Sequence, residues 1–494
     1  MEQGTVRVRF APSPTGPLHI GGVRTALYNY LFAKRYGGKL VLRIEDTDST
    51  RFKADSESHI ISSLEWLGIK FDEGPKIGGE FGPYKQSERK DIYKDYVKKL
   101  IESGKAYLAF DTEGELEQKR KEVPNFQYNS FSRMSMKNSL SLSSEEVHTL
   151  LQDPSVEYTV RFKVEPGQEV RVFDLIRGEI VVKSSNIDDK ILWKKKDELP
   201  TYHLANVVDD HLMNITHVIH GEEWIPSTPL HVLLYEAFEW EKPGFAHLPL
   251  ILKPEGEGKL AKRDGDKFGF PVYAVSWEGT QGYKEEGWYP EAVVNFLAFL
   301  GWNPGTEQEI FSLKELEENF DLQHVNKKGS RFDIKKAKWF NHEYILKKDP
   351  KEITRDFMPI LSGWGINQPE ERVEKVVALM KDRIDFLKEL YPTVSYFFVP
   401  PVEYDEKSVW KFWKVNSDKV LEDLIPHLSQ EKEEIMAWIK EEGYTVGEVM
   451  NALRVAVVGK AVGPEMFELI NFLGPVEIEK RIKRMIEWKR KTSE

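Results

Sequence analysis

Residues 9–22 read RFAPSPTGPLHIGG. Three prolines (12, 14 and 17), three glycines (16, 21 and 22) and one histidine separate two differently patterned segments. Before them, Thr5–Phe10 alternates and is rich in valine, which predicts a strand. After them, Val23, Ala26, Leu27, Tyr30 and Leu31 recur at i, i+3, i+4, i+7 and i+8, one face of a helix. Gly37-Gly38 stops that helix, and KLVLRIE, residues 39–45, predicts a second strand. Strand, helix and strand in so short a span make a βαβ unit, hence a parallel sheet. The turn has more breakers than a structural turn needs. Glycines at a helix N-terminus let a purine or phosphate approach free N–H groups, with a dipole that favours an anion. His19 is a candidate donor there, or a structural histidine. The stretch matches neither GxxxxGK[ST] nor GxGxxG.

In an open parallel sheet, ligands bind beyond the carboxyl ends of the strands. Arg9 ends the first strand and Glu45 the second. On neighbouring strands they either face one crevice, suiting a zwitterion such as an amino acid, or pair with each other. Lys259 and Lys262 in GKLAKRDG, beside Arg263, form either a flexible cationic clamp for a triphosphate or a solvated charge run. Asp209-Asp210 and Glu222-Glu223 supply oxygens that suit magnesium, but Asp209-Asp210 reads better as a polar network than as a metal cage. His203, His211, His217 and His220 lie close in sequence without an HxxxH pair, so no zinc site is expected there. Trp193, Trp224 and Trp302 read as core.

The chain has 494 residues, too many for one core, and a net charge of −11. An acidic chain is not a nonspecific coat for nucleic acid, although local basic patches still permit such a partner. It contains no cysteine, so disulfides, thiolate nucleophiles and cysteine-ligated zinc are excluded, and a reducing compartment is permitted. MEQGTVRVRF reads as a strand rather than a signal sequence, and no apolar run approaches the roughly 20 residues a bilayer requires. The expectation is a soluble cytoplasmic protein with no membrane partner.

From about Ala106 to Lys196 the pattern changes to short strands and polar loops, VEYTVRFKV, RVFDLI and EIVVKSS, which predicts an inserted α+β module. Helical and strand patterns resume over residues 200–224 and in a helix at 228–239. Residues 253–266 (KPEGEGKLAKRDGD) read as the most mobile loop, and beyond about residue 330 the pattern is almost wholly helical.

Several ordered stretches resemble those of bacterial-type glutamyl-tRNA synthetases, a family of class I aminoacyl-tRNA synthetases. They are RFAPSPTGPLHIGGVRTALYNYLFAKRYGG, LRIEDTD, DLIRGEI, LPTYHLANVVDDHLMNITHVIHGEEW, STPLHVLLYEAF and PEAVVNFLAFLGWNPG. LHIGG corresponds to the HIGH motif and GKLAKRDG to the mobile KMSKS loop. The matching runs from residue 5 to about 345, with weaker echoes later. The resemblance implies a multidomain chain with an α/β Rossmann-type parallel-sheet catalytic domain, an α+β insertion and an all-α anticodon-binding region. Its expected parts are residues 1–105 and 197–252 for the two catalytic halves and 106–196 for an inserted acceptor-stem module. Residues 253–330 would carry the KMSKS-like loop and stem contacts, and 331–494 the anticodon-binding region.

The resemblance further implies a glutamate–tRNA ligase. The α-carboxylate of L-glutamate attacks the α-phosphate of ATP, with Mg²⁺ accompanying the nucleotide, and the glutamyl group then passes to the terminal adenosine of tRNA(Glu). The family activates glutamate well only with tRNA present. Carried over by motif, Arg9, Ser13, Glu45, Tyr202, Asn206 and His220 hold glutamate, with Glu45 on the ammonium and Arg9 on a carboxylate. His19, Gly21 and Gly22 line the ATP site, and Lys259 and Lys262 neutralise the triphosphate, so His19, Lys259 and Lys262 are the expected catalytic residues.

Two positions depart from the family pattern. His220 stands where an arginine is usual, and with an unperturbed pKa near 6.5 it would be partly charged unless Glu222, Glu223 or substrate raised it. In AYLAFDT, Ala109 and Asp111 stand where many relatives have zinc-binding cysteines, so no zinc is expected and packing must hold the module. Candidate tRNA surfaces are residues 327–338 (KKGSRFDIKKAK) and 480–491 with Trp488, each equally readable as a solvated helix face. Nothing in the sequence marks an obligate dimer seam, and the chain is read as a monomer. Alternative readings are an enzyme that also charges tRNA(Gln) and a non-catalytic tRNA-binding paralogue.

Overall fold

The computed structural model describes residues 5–48, 53 and 55–493; the leading MEQG lies outside the described residues. The chain divides into two compact units, Met1–Phe340 and Asn341–Glu494.

In the first unit, β1 (Arg7–Phe10) and β2 (Lys39–Leu42) pair in parallel, with Arg9 opposite Val41. Between them runs α1 (Ile20–Arg35), whose buried residues extend almost all round the helix. A helix buried on every side needs polar partners for its polar residues. Tyr28 accordingly donates to the Ala298 carbonyl (2.8 Å), and Asn29 Nδ2 to that of Ile219 (3.0 Å). Gly37, at φ +60°, makes the left-handed turn into β2, which a side chain would strain. Then follow α2 (Ser56–Trp66), α3 (Lys90–Glu102), β3 (Ala106–Ala109), α4 (Glu113–Glu122), α5 (Ser144–Gln152) and β4 (Thr159–Phe162). The chain continues through β5 (Glu169–Asp174), β6 (Gly178–Lys183), β7 (Ile191–Lys194), β8 (Leu199–Pro200), α6 (Tyr202–Leu212), β9 (His217–Gly221), α7 (Thr228–Ala237) and β10 (Gly244–Leu248).

The stretch expected to form one inserted module divides between two sheets. Strands β3, β4, β7 and β8 make an antiparallel sheet in the order 3-4-7-8. The hairpin β5–β6 instead joins the parallel strands, giving the order β6-β5-β10-β9, with Asp174 of β5 beside Phe245 of β10. The alternation of β5 and β6 signals a half-buried hairpin but is silent about which sheet it extends, because partner choice is a long-range contact. β9 lies next to β1, whose Arg7 carbonyl accepts from Thr216 N (2.9 Å).

At the family's cysteine positions, Ala109 is buried with Tyr107, Tyr128 and Met136, while Asp111 accepts from Tyr128 Oη (2.9 Å) and Lys137 N (2.8 Å). Deeper in, Asp189 accepts from Tyr107 Oη (2.7 Å) and pairs with Arg133 (3.2 Å). The Arg161 guanidinium lies 3.9 Å from the centre of the Tyr128 ring. Aromatic packing and charge-assisted hydrogen bonds connect the segments of this part of the module.

The unit continues through β11 (Ile251–Leu252), α8 (Lys262–Phe268), α9 (Pro290–Phe299), α10 (Leu313–Asn319), β12 (Ser330–Arg331) and α11 (Ile334–Lys347), within which the division at Phe340 falls. Beyond β12 every regular element among the described residues is helical. In the second unit the helix Pro475–Ser493 is anchored by Arg481, which is buried and donates to the carbonyls of Tyr396 (2.5 Å) and Val457 (3.0 Å) and to Glu477 (2.9 Å). This residue of the candidate basic surface is therefore a structural cation. Trp488 of the same run is half-buried against Tyr404, ring centres 5.0 Å apart. No helix of the described residues is long and apolar enough to cross a membrane.

Candidate active site

A cleft of about 300 Å³ opens at the carboxyl ends of β1, β2, β9 and β10. Its wall brings together Arg9, His19, Gly21, Gly22, Glu45, Tyr202, Asn206, His220 and Lys259, residues far apart in the chain. Two expected site residues stand outside this wall. Ser13 is exposed on the proline-braced turn, where its carbonyl accepts from Thr15 N (2.9 Å). Lys262 begins α8, and its Nζ points at the Tyr273 ring, 5.8 Å from the centre.

At one end of the cleft Arg9 and Glu45 do not pair with each other. Arg9 Nε donates to Asp210 Oδ1 (2.9 Å), and its Nη2 to Asp210 Oδ2 and Asn206 Oδ1 (both 3.2 Å). Arg43 bridges the two sides, donating to Asp210 Oδ1 (2.7 Å), Asn206 Oδ1 (2.8 Å) and Glu45 Oε1 (3.1 Å). Behind it, Asp209 accepts from Arg89 Nε (2.7 Å), Tyr93 Oη (2.8 Å) and Gln86 Nε2 (2.9 Å). Asp209 and Asp210 are thus network residues, as their sequence context suggested. Burial works against both facing carboxylates, with different results. At Asp210 it is outweighed by Arg9 and Arg43, which hold the carboxyl below its usual range. At Glu45 burial prevails over Arg43 and Arg9 and raises the pKa, so this carboxylate gains from a further cation in the cleft. Tyr202 covers this end, stacked on Trp224 with ring centres 4.3 Å apart. Trp224 is 37% exposed, unlike the buried Trp193 and Trp302, because its ring forms cleft wall rather than core.

At the other end, His19 is the N-cap of α1, and its Nδ1 accepts from Gly21 N (3.2 Å). In the neutral ring the proton is therefore on Nε2, which is buried with no hydrogen-bond partner among the described residues. Burial, then the charge of Lys259, pushes the His19 pKa down to about 4, so the ring is a neutral donor at pH 7. A Cβ on Gly22 would lie 2.7 Å from Leu18 Cδ1, which explains the glycine. Lys259 sits on the loop after β11 and pairs with Glu223 (2.7 Å), both half exposed. Arg331 Nη1 holds that loop by its carbonyls, at Lys253 and Gly256 (both 2.9 Å).

His220 is buried in the wall between these ends, and its Nε2 lies 2.7 Å from His247 Nε2. Burial first, then the nearby His247, Arg9 and His231, pushes its pKa well below the usual value. Neither expected carboxylate reverses this, since Glu222 pairs with Arg177 and Glu223 with Lys259. The free ring is neutral at pH 7 instead of partly charged.

Arg24 and Arg43 were not singled out by sequence reasoning, Trp224 was read as core, and Glu223 was considered only for magnesium and for its effect on His220. For the two arginines a signal existed: each interrupts an apolar run (GGVRTAL, LVLRIE) where a charge must find buried partners. Arg24, also in the wall, donates to the carbonyls of Leu300 (2.6 Å) and Pro249.

A polar cleft beyond the carboxyl ends of parallel strands, with a glycine-rich helix N-terminus and a lysine-bearing loop, is where an open α/β sheet takes an anionic ligand. Residues 5–339 match the family tRNA synthetases class I (E and Q), catalytic domain, and residues 352–486 match the anticodon binding domain family. The chain belongs to the class I tRNA synthetases of the E and Q group. It is 57% identical over 503 residues to the glutamate–tRNA ligase of Phocaeicola vulgatus and 56% identical to that of Bacteroides fragilis, each match covering 99% of both chains. It is also similar to the crystal structure of a glutamate tRNA ligase from Elizabethkingia meningosepticum CCUG26117 in complex with its amino acid. That match has a TM-score of 0.95 at 46% identity, covering 98% of this chain and 99% of the other.

Proposed function

We propose that this chain is a glutamate–tRNA ligase, forming glutamyl-adenylate from L-glutamate and ATP and passing the glutamyl group to the 3′-terminal adenosine of tRNA(Glu). The observation that carries the reading is the convergence of a carboxylate whose burial outweighs its cations, an oriented neutral histidine and a lysine-bearing loop in one cleft. Glu45, short of positive charge, takes the ammonium, and Arg9, Tyr202, Asn206 and His220 surround the rest of the amino acid. Nε2–H of His19 and the amides around Gly21 and Gly22 meet ATP. Lys259 exchanges Glu223 for the triphosphate as charge develops, and Lys262 and Ser13 reach the substrates when the loop and the proline turn close on them. Catalysis is then positioning and charge stabilisation, with no covalent protein intermediate. Mg²⁺ is assigned to the nucleotide phosphates, which supply the oxygen ligands a hard cation prefers. We assign residues 106–196 outside the β5–β6 hairpin to the acceptor stem and the helical region after 331 to the anticodon, in a cytoplasmic monomer.

ATP–pyrophosphate exchange tests this directly. Exchange with glutamate that requires tRNA(Glu) is the expected result. No exchange under any condition, from folded protein that still binds tRNA, would overturn it in favour of a non-catalytic paralogue.

A further inference from the structure

His220 is the end of a buried chain. His247 is its register partner on the adjacent parallel strand, so the two rings meet on one side of the sheet. On the far side of His247, Nδ1 lies 2.6 Å from Asp174 Oδ2, which also accepts from His247 N (3.0 Å). The other oxygen, Oδ1, accepts from Ile176 N (2.9 Å) and Arg177 N (2.8 Å). Burial alone would raise the Asp174 pKa, but these donors outweigh it and hold the carboxyl ionised. The consequence is a fixed tautomer. His247 Nδ1 carries a proton, so in the neutral ring Nε2 is a lone pair and His220 Nε2–H must donate to it. Nδ1 of His220 is then also a lone pair, and it is the nitrogen left for whatever fills the cleft.

A lone pair repels a carboxylate, so an acidic side chain reaching His220 requires one added proton. We propose that glutamate binds together with a proton from solvent, shared by His220 and His247, and that Asp174 and His247 are the positioning residues that make this possible. No bond breaks apart from that transfer. The pair passes from neutral to one positive charge, opposite the substrate carboxylate in front and Asp174 behind. Whichever ring holds the proton, Nδ1–H of His220 faces the substrate. Thr228 Oγ1 donates to the Trp224 carbonyl (3.1 Å) and lies 2.9 Å from His247 Nε2, where its oxygen lone pairs favour the imidazolium.

The other ionisable groups around the ring are accounted for. Arg9 is tied to Asp210, and His231 on α7, with burial pushing its pKa down to about 3, stays neutral. Glu222 and Glu223 are engaged by Arg177 and Lys259. Glu45 and Tyr202 line the same cleft, and Glu45 responds to the ammonium. Glutamine shares that ammonium but has a neutral side chain, and its amide N–H donates to Nδ1 with no added proton. Comparing the two amino acids therefore isolates the side-chain proton.

The inference rests on the glutamate-ligase reading, and calorimetry on the full-length chain separates the two. Titrating L-glutamate and L-glutamine at pH 7.5 in buffers of different ionisation enthalpy counts protons taken up. Expected is about half to one more proton with glutamate than with glutamine, and a glutamate Kd that weakens up to about tenfold per pH unit as the pH rises. H220R, carrying a permanent charge, should bind glutamate with that excess abolished and the pH dependence flattened. D174N, if folded by its unfolding midpoint, should show a smaller excess at pH 7.5. Wild-type binding of glutamate with no excess uptake between pH 6 and 8 would overturn the proton linkage. Failure to bind glutamate at all, with no tRNA-dependent exchange, would overturn the underlying reading instead.

Discussion

The two ends of the cleft are built on opposite terms. Around Arg9 and Glu45 three arginines and three carboxylates are buried and hold one another in place, with Glu45 short of positive charge, so the geometry of this surface is set beforehand. At the end proposed for the nucleotide, Lys259 is half exposed, stands on a glycine-containing loop and pairs with Glu223, which the proposed role requires it to leave. Specificity for a small zwitterion needs fixed charges at fixed distances. A triphosphate whose charge moves during reaction needs a cation able to follow it.

Damage at the first end is expected to show as lost folding and damage at the second as lost rate. The largest effect is expected for Asp210→Ala, which leaves Arg9 and Arg43 buried with a shared partner gone. A loss of about 3–5 kcal/mol in urea unfolding is expected. Lys259→Ala should reduce tRNA-dependent pyrophosphate exchange by about 10²–10³-fold, with unfolding changed by less than about 0.5 kcal/mol. An Asp210→Ala protein of unchanged stability, or a Lys259→Ala protein of unchanged rate, would dissolve the distinction.

Acid titration is the next effect in size. His19 and His203 (each pushed down to about 4) and His231 (to about 3) are buried neutral, first of all by desolvation. Their folded pKa values lie below the ordinary 6.5, so between these values the unfolded chain binds more protons and stability falls as pH falls. Between pH 7 and pH 5 each contributes about 1–2 kcal/mol of loss, readable as a decline in urea midpoint. His203→Gln should reduce that decline by its own share. The smallest effect is at the cleft rim. Trp224→Ala removes the stack on Tyr202 and should raise the glutamate KM a few-fold, in line with the about 0.5–1.5 kcal/mol of an aromatic pair, while kcat holds.

The first βαβ unit was legible because its signals are local: alternation, a helical face and breakers between them. That Arg9, His19 and Glu45 share one cleft wall was legible with it, since strand ends and helix starts meet at the edge where an open parallel sheet has its crevice. Facing one crevice and pairing with each other were two readings of Arg9 and Glu45 that the residues left open. Arg43 decided them by standing between Arg9 and Glu45, although it was passed over as one letter in LVLRIE. The sheet that the β5–β6 hairpin joins was not legible for a similar reason, its pattern being the same in either sheet.

His220 marks the boundary most sharply. That a histidine occupies this position, and that its neighbours in the chain are two glutamates, is plain from the letters. Those glutamates turn to Arg177 and Lys259, while the groups that govern the ring, His247 and Asp174, come from strands 27 and 46 residues away in sequence. Chain order sets what a residue is and which element it begins or ends. Its protonation and hydrogen-bond direction depend on burial and on partners across the sheet, and those exist only once the strands have paired.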